Sequence, residues 1–296
     1  MAIGCSNYLR SSTELNNINW AQRQQRHRLI RRWIPQGLRD WFNYLIGYAI
    51  RYRGEFPDWN AALNAAGGYD DEHLIERLAN AARAVKEGSA AWDQDGVSSD
   101  DVPPNLPLFA ALSRVALATR GELSVLDFGG ALGSSYFQCK HFLSDVCRLD
   151  WRIVEQPRLV EIGQQEISRE TLRFFPSIES ALAPPRPDVV LLSSVLQYIE
   201  NPWGILEQIL VTDIPYLVID RHPCSITHEM ITVQVLPSNL YKGSYPSWLF
   251  DGPAMLKKLQ EKYELLATWE SGDPPIRGWQ KGANFQGYFL RRKLIK

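Results

Sequence analysis

The segment Asp127-Phe128-Gly129-Gly130-Ala131-Leu132-Gly133 combines a carboxylate with a glycine-rich turn. Ser124 to Leu126 read as a buried strand, Gly129 and Gly133 permit positive φ and close backbone approach, and Ser134 can cap a helix running to about Leu143. The free N–H groups at the start of that helix face the space above the turn, an arrangement that suits a nucleoside-type ligand. A second carboxylate, Glu155, ends the next predicted strand 28 residues after Asp127, where it can accept hydrogen bonds from two ribose hydroxyls. The fourth strand, 188–194, runs into Val195-Leu196-Gln197-Tyr198-Ile199-Glu200-Asn201-Pro202. Ligands of open α/β sheets bind beyond the strand C-termini, so Ser193, Ser194, Gln197 and Tyr198 border the same pocket. A chance glycine turn and a solvated acid at a strand end are the plain alternatives for the first two features.

The elements that position these residues alternate strand and helix, the signature of a parallel sheet covered on both faces. Strands are expected at 123–127, 151–155, 171–175, 188–194, 215–220, 264–269 and 286–291. Pro157 and Pro202 fit first helical turns, Pro202 behind a capping Asn201, and Asp251 can cap a helix ending near Tyr263. The last two strands have no helix between them, so the sheet is predicted to close with an antiparallel strand. Upstream, a short helix over 58–68 stops at Gly67-Gly68, another runs from Asp70-Asp71 to Lys86-Glu87, and a third runs from Leu106 to Thr119. Trp92 to Pro107 reads as a linker, which places a boundary near residue 100: a helical N-terminal extension over 1–100 and a Rossmann-like α/β domain over 101–296. The 30-residue connection 221–250 reads as an insert that covers the substrate.

A chain of 296 residues, 45% apolar, has ample material for a buried core. Charge is uneven: residues 1–53 carry nine basic and two acidic side chains, net +7, leaving −8 on the rest of a chain of net −1. From Trp20 to about Arg53 the pattern is a basic, aromatic-rich helix broken at Pro35. It reads as a solvated face packed on the main domain or as a peripheral membrane contact. Nucleic acid is not an expected partner, because an acidic body repels phosphate and no recognised binding module is present. Four cysteines without C-x-x-C pairing, and the absence of both an 18-residue apolar run and a signal-type apolar stretch, lead us to expect a soluble cytoplasmic protein. No ligand spacing for a metal is visible.

On the Asp-x-Gly-x-x-x-Gly turn, the acid ending the second strand and the Asp-Val-Val to Asn-Pro run, residues 120–220 resemble the class I S-adenosylmethionine-dependent methyltransferases. The chain is further similar to a methyltransferase family encoded near bacterial surface-polysaccharide genes, through Trp59, Ala62 and Gly68-Tyr69-Asp70 upstream and Ile219-Asp220-Arg221, Gln234 and Tyr245-Pro246 downstream. The resemblance implies a seven-stranded sheet with its last strand antiparallel, S-adenosyl-L-methionine as cofactor, and a small-molecule or glycan acceptor. It places Asp127, Gly129, Gly130 and Gly133 around the methionine moiety, Glu155 on the ribose, and Ser194 to Gln197 beside the sulfonium. Two departures stand out: Ala131 replaces the usual middle glycine, and Ser177 follows the third strand where an acid commonly meets the adenine.

Methyl transfer to a hydroxyl needs a group to take its proton, and His222, just past the fifth strand, is the natural general base. A turn histidine bonded to backbone is the alternative. Arg221 suits a phosphate or carboxylate on the acceptor, or a salt bridge to an acid. Tyr198, His228 and Tyr245 complete the candidate acceptor contacts. Two other functions compete: an NAD(P)-dependent oxidoreductase or epimerase, disfavoured by Ala131 and Ser134 in the glycine fingerprint and by the lack of a Tyr-x-x-x-Lys pair, and a degenerate methyltransferase fold serving as a scaffold.

Overall fold

Apolar residues that alternate along the central strands divide between two cores, which puts helices on both sides of one sheet. The computed structural model describes residues 51–68, 71–225, 227–236, 243–271, 276 and 283–294. Strand β1 (Arg51–Phe56) leads into α1 (Trp59–Ala65), whose N-cap Asp58 accepts from the Ala61 N–H at 2.8 Å. Helix α2 (Asp71–Glu87), the hairpin β2 (Trp92–Gln94) and β3 (Val97–Ser99), and α3 (Leu106–Ala118) follow. The alternating region then comprises β4 (Glu122–Phe128), α4 (Ser134–Leu143), β5 (Arg148–Val154), α5 (Pro157–Ile162) with one π turn behind it (Gly163–Ile167), β6 (Leu172–Phe175), α6 (Ile178–Ala181), β7 (Val189–Ser193) and α7 (Pro202–Leu210). It ends in β8 (Tyr216–Ser225), β9 (Met230–Val235), β10 (Ser244–Asp251), α8 (Gly252–Leu259), β11 (Tyr263–Glu270) and β12 (Asn284–Arg292).

The central strands run in the order β6-β5-β4-β7-β8-β12-β11, with β12 antiparallel to both neighbours and the first five mutually parallel. This is the Rossmann-like, seven-stranded sheet with an antiparallel last strand that the resemblance implies. On β7, Val189 and Leu191 join one core with α2 to α5, while Val190 and Leu192 join the other with α6 to α8. Both faces of the sheet are therefore buried, as period-two alternation of large aliphatic side chains requires.

Three expectations are corrected. Residues 221–250 are not a covering loop: β8 continues to Ser225, and β9 and β10 join β1 in an antiparallel wing, with β10 parallel to the last residues of β8. Strand β8 outlasts its expected end at 220 because a β-bulge sits there, Asp220 and Arg221 lying opposite the single residue Gly287. The boundary near residue 100 does not divide the fold, since Ile50–Lys296 form one compact unit and β1 pairs with β9. The stretch read as a linker contains the β2–β3 hairpin, closed by Asp95-Gly96 with both residues at positive φ. The basic helix expected from Trp20 lies outside the described residues up to residue 50, and Arg51–Arg53 belong to β1. No helix of the described residues is long and apolar enough to cross a membrane.

Candidate functional site

The parallel strands all end at one edge of the sheet, and a cleft of about 500 Å³ opens there. Its floor is Gly129, Gly130 and Ala131 after β4 and Ser193-Ser194 at the end of β7; its walls include Arg221, Gln94 and Asp95 of the hairpin, and Trp269 to Ser271. Asp95, Ala131, Ser194 and Arg221 all have positive φ despite carrying side chains. Four such residues around one cleft mark a surface whose shape is held by its surroundings.

The turn is built on a buried carboxylate. Asp127 is 1% exposed, accepts from the Trp151 indole N–H at 2.9 Å, and has its other oxygen without a partner. A Cβ on Gly130 would lie 2.5 Å from that carboxylate, so only glycine lets the backbone lie across it. Asp127 therefore shapes the turn from beneath rather than facing the cleft. Helix α4 is capped by Gly133 in the left-handed region, not by Ser134 as expected; the Ser134 hydroxyl instead donates to buried Asp93 at 3.0 Å, and the Trp92 indole donates to the Ser134 carbonyl at 3.0 Å. The hairpin is thereby fastened to the start of α4.

Burial pushes the Asp127 carboxyl up to about 7, against the Trp151 hydrogen bond and with the Glu155 charge adding to the rise. Burial likewise pushes Asp93 up to about 6, opposed by Ser134 and reinforced by Asp95. Both acids hold their proton more tightly in the folded chain. Their contribution to stability is fully present below the unfolded value of 3.8 and is lost as pH rises through about 6 and then about 7. The melting temperature is therefore expected to fall between about pH 4 and pH 7, and Asp127→Asn to flatten that slope. An unchanged slope in the variant would remove Asp127 from the titration.

Glu155 sits just past β5 and reaches back to the turn: one oxygen accepts from the Ala131 N–H at 3.1 Å and the other from the Gln156 N–H at 2.8 Å. Burial raises its pKa, offset by these two backbone donors. The carboxylate is thus placed beside the turn, at the tip of the strand next to β4.

Other candidates are placed differently from expectation. His222 is fully buried; its Nδ1 contacts the Asp220 carbonyl at 2.9 Å, and its Nε2 accepts from the Leu196 N–H at 3.2 Å. With both ring nitrogens held by backbone groups and the ring absent from the cleft lining, it is not placed to take a proton from an acceptor there, and burial pushes the imidazole down to about 3. Ser177 caps α6 in a reciprocal hydrogen-bond pair with Ser180, which accounts for its hydroxyl without an adenine. Gln197 is buried and donates to the Ser194 hydroxyl at 2.7 Å. Tyr198 and Tyr245 meet edge to face, ring centroids 5.2 Å apart, where β10 passes the 3-10 turn after β7, and the Tyr198 hydroxyl donates to Gln234 at 3.2 Å. His228 is on the surface with Glu55, 3.1 Å away, and so is apart from these residues.

Arg221, at the bulge, does line the cleft, and the Gln94 side-chain oxygen accepts from its guanidinium. Asp220 beside it is a buried hub, accepting from Asn105 at 2.8 Å and from the Trp269 indole at 2.9 Å. Trp269 on β11 faces Gly287 on β12 and reaches β8 across it; a Cβ there would meet the indole at 2.1 Å. Sequence reasoning missed Gln94, Asp95, Asn105 and Trp269 as cleft residues. The Asp95-Gly96 pair between Trp92-Asp93-Gln94 and Val97-Ser98-Ser99 was the available hairpin signal.

No protein-family model matches the chain, and no curated protein is detectably similar to it. Among solved structures it is similar to the Burkholderia thailandensis 1,6-didemethyltoxoflavin-N1-methyltransferase with bound 1,6-didemethyltoxoflavin and S-adenosylhomocysteine, at 15% identity and a TM-score of 0.42 over 82% of this chain and 100% of that one. It is similar also to the N-terminal domain of EvdMO1 in the presence of S-adenosylhomocysteine and D-fucose, at 13% identity and a TM-score of 0.42 over 76% and 98%. A third is the magnesium protoporphyrin IX methyltransferase of Synechocystis PCC 6803 with bound S-adenosylhomocysteine, at 13% identity and a TM-score of 0.41 over 76% and 100%. The strand order and the antiparallel β12 themselves define a Rossmann-like sheet of the class I methyltransferase type.

Proposed function

We propose that this protein transfers a methyl group from S-adenosyl-L-methionine to a small-molecule or glycan-like acceptor. The observation that carries the reading is the glycine turn over Asp127 at the head of α4, with the Glu155 carboxylate fastened beside it, at the edge where the cleft opens. The residues fit the cofactor: Gly130, with no side chain, lets the turn lie flat over Asp127 and present its backbone to the cleft, and Glu155 beside it offers two acceptor oxygens to a ribose. The Gly130 N–H and those at the start of α4 would hold the methionine end, since the Gly129 and Ala131 N–H groups are spent on Val154 and Glu155, and Ser194 would stand beside the sulfonium. The cofactor supplies an electrophilic methyl group, so the protein's task is chiefly to align the acceptor and exclude water.

With His222 buried, Asp95 and Glu270 on the cleft wall are the carboxylates that would receive a proton from an acceptor hydroxyl. Arg221 would orient a polar or anionic acceptor group from the bulge. Tyr198 from the turn after β7 and Tyr245 from the wing would border the acceptor, a role that His228 is too far out to share. The resemblance to enzymes encoded near surface-polysaccharide genes favours a sugar acceptor, and the free thiols of Cys139, Cys147 and Cys224 favour a reducing, cytoplasmic setting.

Calorimetric titration with S-adenosylhomocysteine is expected to show saturable binding, with NADH and NADPH silent. Glu155→Ala should weaken it by about tenfold or more, the order expected for losing hydrogen bonds to a charged acceptor. Silence from the wild type would favour the scaffold reading, and a nicotinamide signal the oxidoreductase.

A further inference from the structure

We infer that His222 is a positioning residue, whose unprotonated Nε2 pins the 194–198 turn in the shape that the cofactor site requires. The inference rests on the cofactor reading above.

After β7 ends at Ser193 the chain reverses through Ser194, which is held at φ +55°. Two backbone amides of this turn find their acceptors on β8. The Ser194 N–H donates to the Asp220 carbonyl at 2.9 Å, and the Leu196 N–H donates to His222 Nε2 at 3.2 Å. Leu196 opens a single 3-10 turn, Leu196–Tyr198, so its N–H has no acceptor within that turn. An N–H can bond Nε2 only if Nε2 carries no proton, so the neutral ring is protonated at Nδ1. That N–H donates at 2.9 Å to the same Asp220 carbonyl. The imidazole thus closes a ring of hydrogen bonds through Ser194, Leu196 and Asp220, and is sealed beneath the Phe250 ring, centroids 6.0 Å apart.

The ring joins the end of β7 to the bulge of β8, and both border the cleft. Ser194 lies on the cleft floor, and Arg221, between Asp220 and His222, lies on its wall at φ +59°. Both adopt backbone conformations that side chains disfavour, and such conformations persist only where surrounding bonds impose them. Gln197 depends on the same turn, since its amide donates to the Ser194 hydroxyl. Releasing Leu196 would therefore loosen Ser194 and Gln197 together, without removing a group that touches a ligand.

The test compares wild type with His222→Gln, His222→Asn and His222→Phe. A glutamine can place an oxygen near the Nε2 position and accept from Leu196, whereas asparagine is too short and phenylalanine has no acceptor. His222→Gln should bind S-adenosylhomocysteine within about threefold of wild type, and the other two should lose about tenfold or more while remaining folded by circular dichroism. Nitrogen NMR of the wild type should show Nδ1 protonated and Nε2 bare at neutral pH, with the Leu196 amide protected from exchange, and these readouts need no variant. Exchange at Leu196 should quicken in the asparagine and phenylalanine variants. A proton on Nε2, or unchanged affinity and Leu196 protection in the asparagine variant, would overturn the pin. A wild type that binds no S-adenosylhomocysteine but has the expected tautomer and a protected Leu196 would overturn the cofactor reading, and with it the functional part of the inference, while leaving the hydrogen-bond ring standing.

Discussion

Gly130→Ala is expected to abolish measurable cofactor binding and to lower the stability of the fold by about 1–3 kcal/mol, the usual cost of forcing an added carbon into a filled interior. The added Cβ would lie 2.5 Å from one Asp127 oxygen and 2.6 Å from the carboxyl carbon. Neither side can yield easily: Asp127 is held by the Trp151 indole and packed at 1% exposure, and the turn is tied by the Gly129 N–H to the Val154 carbonyl at 2.9 Å. The backbone must move instead, and it carries the N–H groups that are to meet the ligand. Asp127→Ala in the same chain removes the obstacle, so the double variant should regain most of the lost stability, a coupling characteristic of residues in contact. Thermal melts and S-adenosylhomocysteine titrations of the four forms decide it; a Gly130→Ala protein that melts and binds like wild type would show that the turn is not seated on Asp127. Gly129 is a poorer probe. A side chain there meets Val195 at 2.1 Å and must adopt φ +73°, so Gly129→Val disturbs packing as well as binding.

The largest loss of stability is expected from Arg152→Ala, at about 3–5 kcal/mol, because three backbone carbonyls lose their donor at about 1–3 kcal/mol each. Arg152 is 2% exposed on β5 and spends its guanidinium on four acceptors. It bonds Asp150 at 2.7 and 2.9 Å, and the carbonyls of Ala181, Ala183 and Pro185 at 2.8, 2.7 and 2.6 Å. Those carbonyls belong to the end of α6 and its connection to β7, so one side chain fixes the approach to the strand that delivers Ser193 and Ser194. Burial tends to raise the Asp150 pKa, but Arg152 and Arg173 outweigh it and hold the carboxyl below its ordinary range. Without Arg152 three carbonyls lose their donor, while Asp150 keeps Arg173. Denaturant unfolding should show the full loss, with Arg152→Lys recovering only part because an ammonium lacks the planar fork. A loss below 1 kcal/mol would mean that water replaces the guanidinium at no cost.

Much of the central sheet was legible because its cues are local. Alternating aliphatic residues mark β4, β7 and the first half of β8, first-turn prolines and capping Asn201 mark α7, and Asp251 caps α8. The wing was not legible. The pairing of β9 with both β1 and β10 joins segments up to about 180 residues apart, and no local pattern states which edge a strand will meet. The bulge at Asp220-Arg221 hid the continuation of β8, because it interrupts the alternation by which a strand is recognised.

The candidate site divides along the same line. The sequence by itself determined the glycine turn, the carboxylate at the tip of the next strand, and the order of elements that brings strand ends to one edge, since each depends on residue type and short spacing. The tertiary structure alone decided what each side chain faces. It buried His222 between β8 and the turn after β7, so that desolvation and two backbone partners made a candidate base into a neutral hydrogen-bonding link. It put Asp127 beneath the turn, and it brought Gln94, Asp95, Asn105 and Trp269 from distant segments to the cleft. Burial and partnership are properties of the assembled packing, and the ionisation of a side chain follows them rather than its place in the chain.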